Sequence, residues 1–260
     1  MSERLNYTLQ GEGQTIVLIH GLFGSLDNLG RLARDLSSDY QVLSVDLRNH
    51  GHSFHSDVHT YDVMAEDLHK IIDSLKLSGI HIIGHSMGGK VAMKYAADHP
   101  ENLAGLTVMD MAPVNYPQNR HDNVFAGLAA VLAEKPAHRS EALAVLAQHV
   151  EIEGVRQFLG KSLYKTEGYF TWRFNVAAIK ENYRNILGWA PVPECTIPTL
   201  FLKGANSDYL LPEYQNLIRD QFPNSKAHII ANTGHWLHAE KPQEVIRAIR
   251  RFIINNSNSQ

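Results

Sequence analysis

Cysteine is almost absent: Cys195 stands alone in 260 residues. No disulfide can form within the chain, and paired CxxC metal sites are excluded. A reducing compartment fits this usage. Long apolar runs are missing too. None approaches the roughly 18 residues that a membrane span requires. The opening MSERLNYTLQ has no basic stretch followed by an apolar one, so no secretory leader is expected. Neither sign of charge dominates, with a net charge of −3. Bulk attraction to nucleic acid or an anionic membrane is therefore not expected. Internal repeats and low-complexity tracts are absent. What remains is a soluble protein, expected in the cytoplasm as a monomer or weak homo-oligomer. Its 44% hydrophobic content suits one large α/β domain or a domain carrying an insertion.

Histidine, by contrast, is plentiful at 15 residues. The stretch NHGHSFHSDVH places His50, His52, His55 and His59 close together and invites a metal reading. The spacing matches neither HExxH nor any other zinc pattern. No metal or cofactor is expected, and the stretch reads as a loop after a core strand.

Short apolar runs alternate with helical patterns. TIVLIHG (15–21), QVLSVDLR (41–48), IHIIGH (80–85), AGLTVMDMAP (104–113), IPTLFLKG (197–204) and KAHIIAN (226–232) read as strands. Helical spacing marks 28–36, 61–77, 87–100, 212–222 and 242–254. The polar tail NNSNSQ is expected to fray. Strands separated by helices imply an α/β fold with a mostly parallel sheet covered on both faces. The run 114–192 breaks that rhythm. It holds helical stretches at 125–134 and 140–150 but no convincing buried strand. It is read as a helical lid, with the core formed by 1–113 and 193–260.

Three motifs carry chemistry. Gly84-His85-Ser86-Met87-Gly88 fits G-x-S-x-G between a strand and a helix, the setting that projects a nucleophilic serine from a tight turn. Side chains two residues to either side would collide with that turn, which explains the glycines. The following helix points its N-terminus at the reacting centre, favouring negative charge there. A serine hydroxyl needs a base. ANTGHWLHAEKP (231–242) offers His235, after a Thr-Gly that would turn the loop back over the sheet, and His238 as competitor. His235 is nearer the strand end and is preferred. HGLFGS (20–25) follows the first strand. With the serine turn it would supply two N–H donors for an oxyanion, those of Leu22 and Met87. Each motif alone has a bland reading as a glycine-rich turn; together they point to a serine hydrolase.

HGLFGS, VDLRNHGHS, GHSMGGKVA and TGHWLHAEKP, in this order, resemble the α/β-hydrolase superfamily. The finer pattern, with DMAPVNY, RHD and WRFN, is similar to the bacterial YbfF-type esterases and their mitochondrial relatives. The resemblance spans nearly the whole chain. It implies an α/β-hydrolase fold with a helical cap after the strand ending near Asp110. It also implies a carboxylester hydrolase acting on small-molecule esters of short-to-medium acyl length, with acyl-CoA thioesters as an extension. Phe23, Arg120, Trp172, Arg173 and Trp236 are candidates to bind substrate, with His121, Asp122 and Phe174 beside them. An arginine there would hold a carboxylate or a phosphate, or would make a structural salt bridge.

The triad acid is the open point. Many superfamily members carry it as G-x-x-D after the strand before the last. Here FLKGANSDYL has Ser207 at that place and Asp208 one residue late. Asp110, ending TVMD, lies at a strand's C-terminal end on the same edge as Ser86. YbfF-type esterases are similar in placing the acid there, so Asp110 is preferred over Asp208, with Ser207 as an accessory to the histidine. Other uses of the scaffold are a C–C bond hydrolase, a haloperoxidase or an acyltransferase. A different class is a small-molecule receptor without turnover.

Overall fold

The computed structural model describes residues 3–117 and 120–257. Seven strands form the central sheet: β1 (Tyr7–Gln10), β2 (Thr15–Ile19), β3 (Gln41–Val45), β4 (Ile80–His85), β5 (Leu103–Met109), β8 (Thr199–Gly204) and β9 (Ser225–Ile230). Their spatial order is β1-β3-β2-β4-β5-β8-β9. β1 runs antiparallel to β3, and every other pair is parallel. The fold is the expected α/β hydrolase arrangement. β1 escaped the sequence reading because it is a four-residue edge strand with three exposed side chains.

The apolar runs follow from burial on both faces of a parallel sheet. Along β2, Val17 and Ile19 join the apolar cluster that also holds Met64, Leu68, Val91 and Ala92. These belong to α2 (Tyr61–Ser74) and α3 (Met87–Asp98). Ile16 and Leu18 point the other way, into a cluster with Leu32, Leu36, Ile246 and Ile249. Those come from α1 (Gly30–Leu36) and the last helix (Pro242–Ser257). The last helix thus runs through Ser257, beyond its expected end at 254, and only residues 258–260 of the polar tail lie outside the described residues.

Between β5 and β8 lies an insertion with α4 (Asp122–Glu134), α5 (Arg139–Ala147), α6 (Glu153–Gly160), α7 (Val176–Glu181) and α8 (Tyr183–Leu187). The expectation of a helical lid is corrected in one respect: the insertion also contains two strands. β6 (Leu163–Thr166) and β7 (Tyr169–Trp172) form an antiparallel hairpin. Its two-residue turn is Glu167-Gly168, with φ of 47° and 87°. Positive φ at both central residues is what a tight hairpin demands. Among the described residues no helix is long and apolar enough to cross a membrane.

The insertion is fastened at both stems by one core residue. Lys90 lies in the first turn of α3 and is fully buried. Its Nζ donates to the carbonyls of Val114 (2.8 Å), Leu187 (3.0 Å) and Gly188 (2.8 Å). The rings of Tyr61, Tyr116 and Trp189 surround it within 4.9–6.0 Å. Burial pulls its ammonium group down to about 7. Three carbonyls and three π-faces favour the charged form in the opposite direction.

Candidate active site

The C-terminal ends of the parallel strands share one edge, where ligands bind in open α/β sheets. Ser86 follows β4, Asp110 follows β5, Ser207 follows β8 and His235 follows β9. Residues 20–25 follow β2. Ser86 has φ 55° and ψ −123°, a sparsely populated conformation that costs about 1–3 kcal/mol and persists only where the surroundings enforce it. The glycines around it have no room for a side chain. A Cβ on Gly84 would sit 2.1 Å from the Gly88 carbonyl oxygen, and one on Gly88 would sit 2.4 Å from that of His20.

Ser86 Oγ is 2.9 Å from His235 Nε2, and His235 Nδ1 is 2.7 Å from Asp110 Oδ2. A carboxylate only accepts, so the imidazole proton is on Nδ1 and Nε2 is free to accept from the serine. Asp110 is fully buried. Its carboxylate also accepts from Gly204 N at 3.0 Å and from Ser207 Oγ. Ser207 therefore contacts the carboxylate; the histidine contact expected of it is not made. Asp208 is turned away. Its side chain is 71% exposed and is held by Arg120 through contacts of 2.9 and 3.2 Å. The Arg120 guanidinium keeps the Asp208 carboxyl below its ordinary value.

The histidine is fixed from several sides. Tyr209 stacks on its ring at 3.9 Å. His85 Nε2 donates to the His235 carbonyl at 2.8 Å. The turn that carries it differs from expectation. Asn232, not Gly234, takes the positive φ, at 54°. His238 lies against His85, with ring centroids 4.3 Å apart, and burial pushes it down to about 3. It is neutral near pH 7, and the hydrogen bond to Ser86 belongs to His235.

Leu22 and Met87 both line the cavity beside Ser86. Met87 opens α3, where the first N–H groups have no intrahelical acceptor. On either side of Leu22 the loop is tied down: Gly24 N donates to Gly21 O at 3.1 Å and Phe23 N to His50 Nε2 at 3.1 Å.

The cavity holds about 650 Å³. One part of its wall comes from the sheet edge. The other comes from the insertion, with Val124, Val150, Ile152, Val155, Phe158 and Leu159. Phe23, Arg120 and Trp236 line it as anticipated. His121 lines it too, neutral because burial pushes it down to about 4. Trp172 and Arg173 do not line it. Trp172 is buried, donates from Nε1 to Leu128 O at 3.1 Å and stacks on Phe174. Arg173 lies over the Tyr164 ring at 4.5 Å, on the hairpin. Their positions in the hairpin turn them into the insertion's own packing. Asp122 starts α4 and is exposed.

Sequence reasoning missed Tyr209, His85 and the α6 face. Tyr209 follows the misleading Asp208 and has no motif of its own. α6 carries Val155, Phe158 and Leu159 at three- and one-residue steps, a signal that was present in the sequence. The histidine-rich loop builds structure. Asn49 Nδ2 meets His59 Nδ1 at 3.2 Å, and His55 Nε2 donates to Arg173 O at 3.0 Å. No metal-binding cluster of three or more ligands occurs among the described residues.

Comparison with known proteins adds an independent line. A model of the alpha/beta hydrolase fold matches residues 14–242. The Escherichia coli esterase YbfF is 46% identical over 244 residues, covering 94% of this chain and 94% of that protein. The mouse sn-1-specific diacylglycerol lipase ABHD11 is 38% identical, covering 92% of this chain and 80% of that protein. Among solved structures, a marine microorganism esterase superposes with a TM-score of 0.93 at 37% identity, over 96% of this chain and 100% of that one.

Proposed function

The chain belongs to the α/β-hydrolase fold family, and we propose that it is a serine carboxylester hydrolase working through an acyl-enzyme on Ser86. The observation that carries this reading is the unbroken hydrogen-bond chain from Ser86 through His235 to Asp110, on the wall of a mostly apolar cavity. The esterase and lipase names of the relatives agree with it.

Ser86 Oγ attacks the ester carbonyl carbon while His235 Nε2 takes its proton. The carbonyl oxygen becomes an oxyanion, which the N–H groups of Leu22 and Met87 receive. Asp110 holds the imidazole in the required tautomer and stabilises the imidazolium. The tetrahedral intermediate collapses, the C–O bond breaks, and the leaving alcohol takes the proton from His235. Water then attacks the acyl-enzyme, giving its proton to His235. Collapse returns that proton to Ser86 and frees the carboxylic acid. The insertion 114–192 acts as a cap whose apolar face receives the acyl chain, which suits short-to-medium acyl esters. The same steps cleave an acyl thioester, with a thiol as leaving group.

Ser86→Ala tests the reading. Turnover of p-nitrophenyl butyrate is expected to fall by at least about 10³-fold, with the circular dichroism spectrum unchanged. Near-full activity in the variant would contradict the proposal.

A further inference from the structure

Phe23 follows the oxyanion residue Leu22 and has φ 62°. A bulky residue does not rest in that region unless it is held. Three contacts hold it. Its N–H donates to His50 Nε2 at 3.1 Å. Its carbonyl accepts from Ser162 Oγ of the insertion at 3.2 Å. Its ring packs on Phe174 and Phe125, with centroids 5.1 and 5.5 Å away.

His50 is fully buried, and the state of its ring is forced by its partners. Nδ1 lies 3.0 Å from the Arg48 carbonyl, which can only accept. The proton is therefore on Nδ1, and Nε2 offers a lone pair to the Phe23 N–H. The neighbouring Asn49 ties the same loop to the insertion. Its carbonyl accepts from Asn175 N at 2.9 Å, and its Oδ1 from Asn175 Nδ2 at 3.2 Å. Two consecutive residues thus reach in two directions: His50 to the oxyanion loop, Asn49 to the insertion.

We propose that His50 is a positioning residue for the oxyanion hole. By accepting the Phe23 N–H, it fixes the peptide unit next to Leu22 and so aims the Leu22 N–H at the reacting oxygen. The inference rests on the esterase reading above. Because the oxyanion forms only in the transition state, a misaimed donor lowers kcat and leaves KM nearly unchanged.

The test is a pair of variants in the full chain, with kcat expressed per active site titrated by a fluorophosphonate. His50→Gln keeps an acceptor near the Nε2 position, whereas His50→Asn is too short to reach Phe23. For p-nitrophenyl butyrate, His50→Asn is expected to lose about 10–100-fold in kcat, less than the ~10²–10³-fold loss when a donor is deleted. KM should stay within about 3-fold, and His50→Gln should recover kcat to within about 5-fold of wild type. An unchanged kcat in His50→Asn, or equal losses in both variants, overturns the proposal. Should neither variant fold, Ser162→Ala takes their place by freeing the Phe23 carbonyl. A loss of about 3–10-fold in kcat at constant KM supports the account, and an unchanged kcat contradicts it. A wild-type chain that does not hydrolyse the ester removes the esterase reading and this inference together. A wild-type chain that does, alongside a fully active His50→Asn, removes the inference alone.

Discussion

The two walls of the cavity are built on opposite principles. On the sheet edge nearly every polar atom near Ser86 has a fixed partner. Asp110 accepts from His235, Gly204 and Ser207. His235 is stacked by Tyr209 and held through its carbonyl by His85. On the insertion side the wall is mostly apolar, from Val124 to Leu159, and Ile152 there is 67% exposed. Reaction chemistry needs atoms held within fractions of an ångström, which several hydrogen bonds per residue supply. Accepting acyl chains of different length needs apolar area without directional demands. On the esterase proposal, the contrast puts catalysis on one wall and selectivity on the other.

The sharpest way to break this contrast is to exchange two carboxylates in turn, Asp110 inside the hydrogen-bonded network and Asp208 outside it. Asp110→Asn should lower kcat by about 10⁴-fold, because the imidazole loses its orienting acceptor. Asp208→Asn should change kcat by no more than a few-fold, since Asp208 meets Arg120 at the exposed rim. Ester turnover by the purified variants decides it, and a larger loss at Asp208 would reverse the assignment.

Next in size is the fastening between the walls. Lys90→Met leaves the carbonyls of Val114, Leu187 and Gly188 without their ammonium donor. A loss of about 2–3 kcal/mol in unfolding free energy is expected, measured by urea titration. Amide exchange should speed up around Tyr116 and Trp189, at the stems, more than in β4 and β5. Uniform acceleration would show that Lys90 serves the core rather than the insertion.

His59 gives a smaller effect with a definite sign. It sits on the loop that holds the insertion, its N–H donating to Asn182 Oδ1 at 3.2 Å. Burial first, then the charges of Arg48 and His20, push it down to about 4 from 6.5. Above pH 6.5 both folded and unfolded chains leave it neutral. As pH falls from 6.5 to 4 only the unfolded chain takes the proton, so stability declines, by up to about 1.4 kcal/mol per pH unit from this group. His59→Gln should flatten the pH dependence of the urea midpoint across that window. An unaltered slope would mean that His59 is protonated in the folded chain.

The smallest effect is expected on the apolar wall. Phe158 packs beside Trp236, with ring centroids 5.6 Å apart. Phe158→Ala should cost about 1–2 kcal/mol, roughly tenfold in kcat/KM, for a long acyl ester and little for an acetate. An equal loss on both esters would place Phe158 with the catalytic wall.

The same contrast explains what the sequence reveals. Core strands such as TIVLI are legible because burial on both faces of the sheet favours apolar residues along the run. GHSMGG is legible because a strained turn forces glycine where a Cβ would collide. Contacts between distant loops are not. Asp208 stands one residue from the expected place, yet its direction depends on Arg120, 88 residues away. Trp172 and Arg173 are aromatic and basic, like pocket residues, but a hairpin governs where they point. Lys90 reads as an ordinary helix-surface lysine. Only the fold brings it between the two stems of the insertion.

The central claim is that Ser86 is the residue acylated, with His235 and Asp110 behind it. The most direct measurement is intact mass and peptide mapping after brief exposure to a fluorophosphonate. The account predicts one label per chain, on Ser86, absent in Ser86→Ala and slower to form in Asp110→Asn. No label, or a label on another serine that survives in Ser86→Ala, would contradict it.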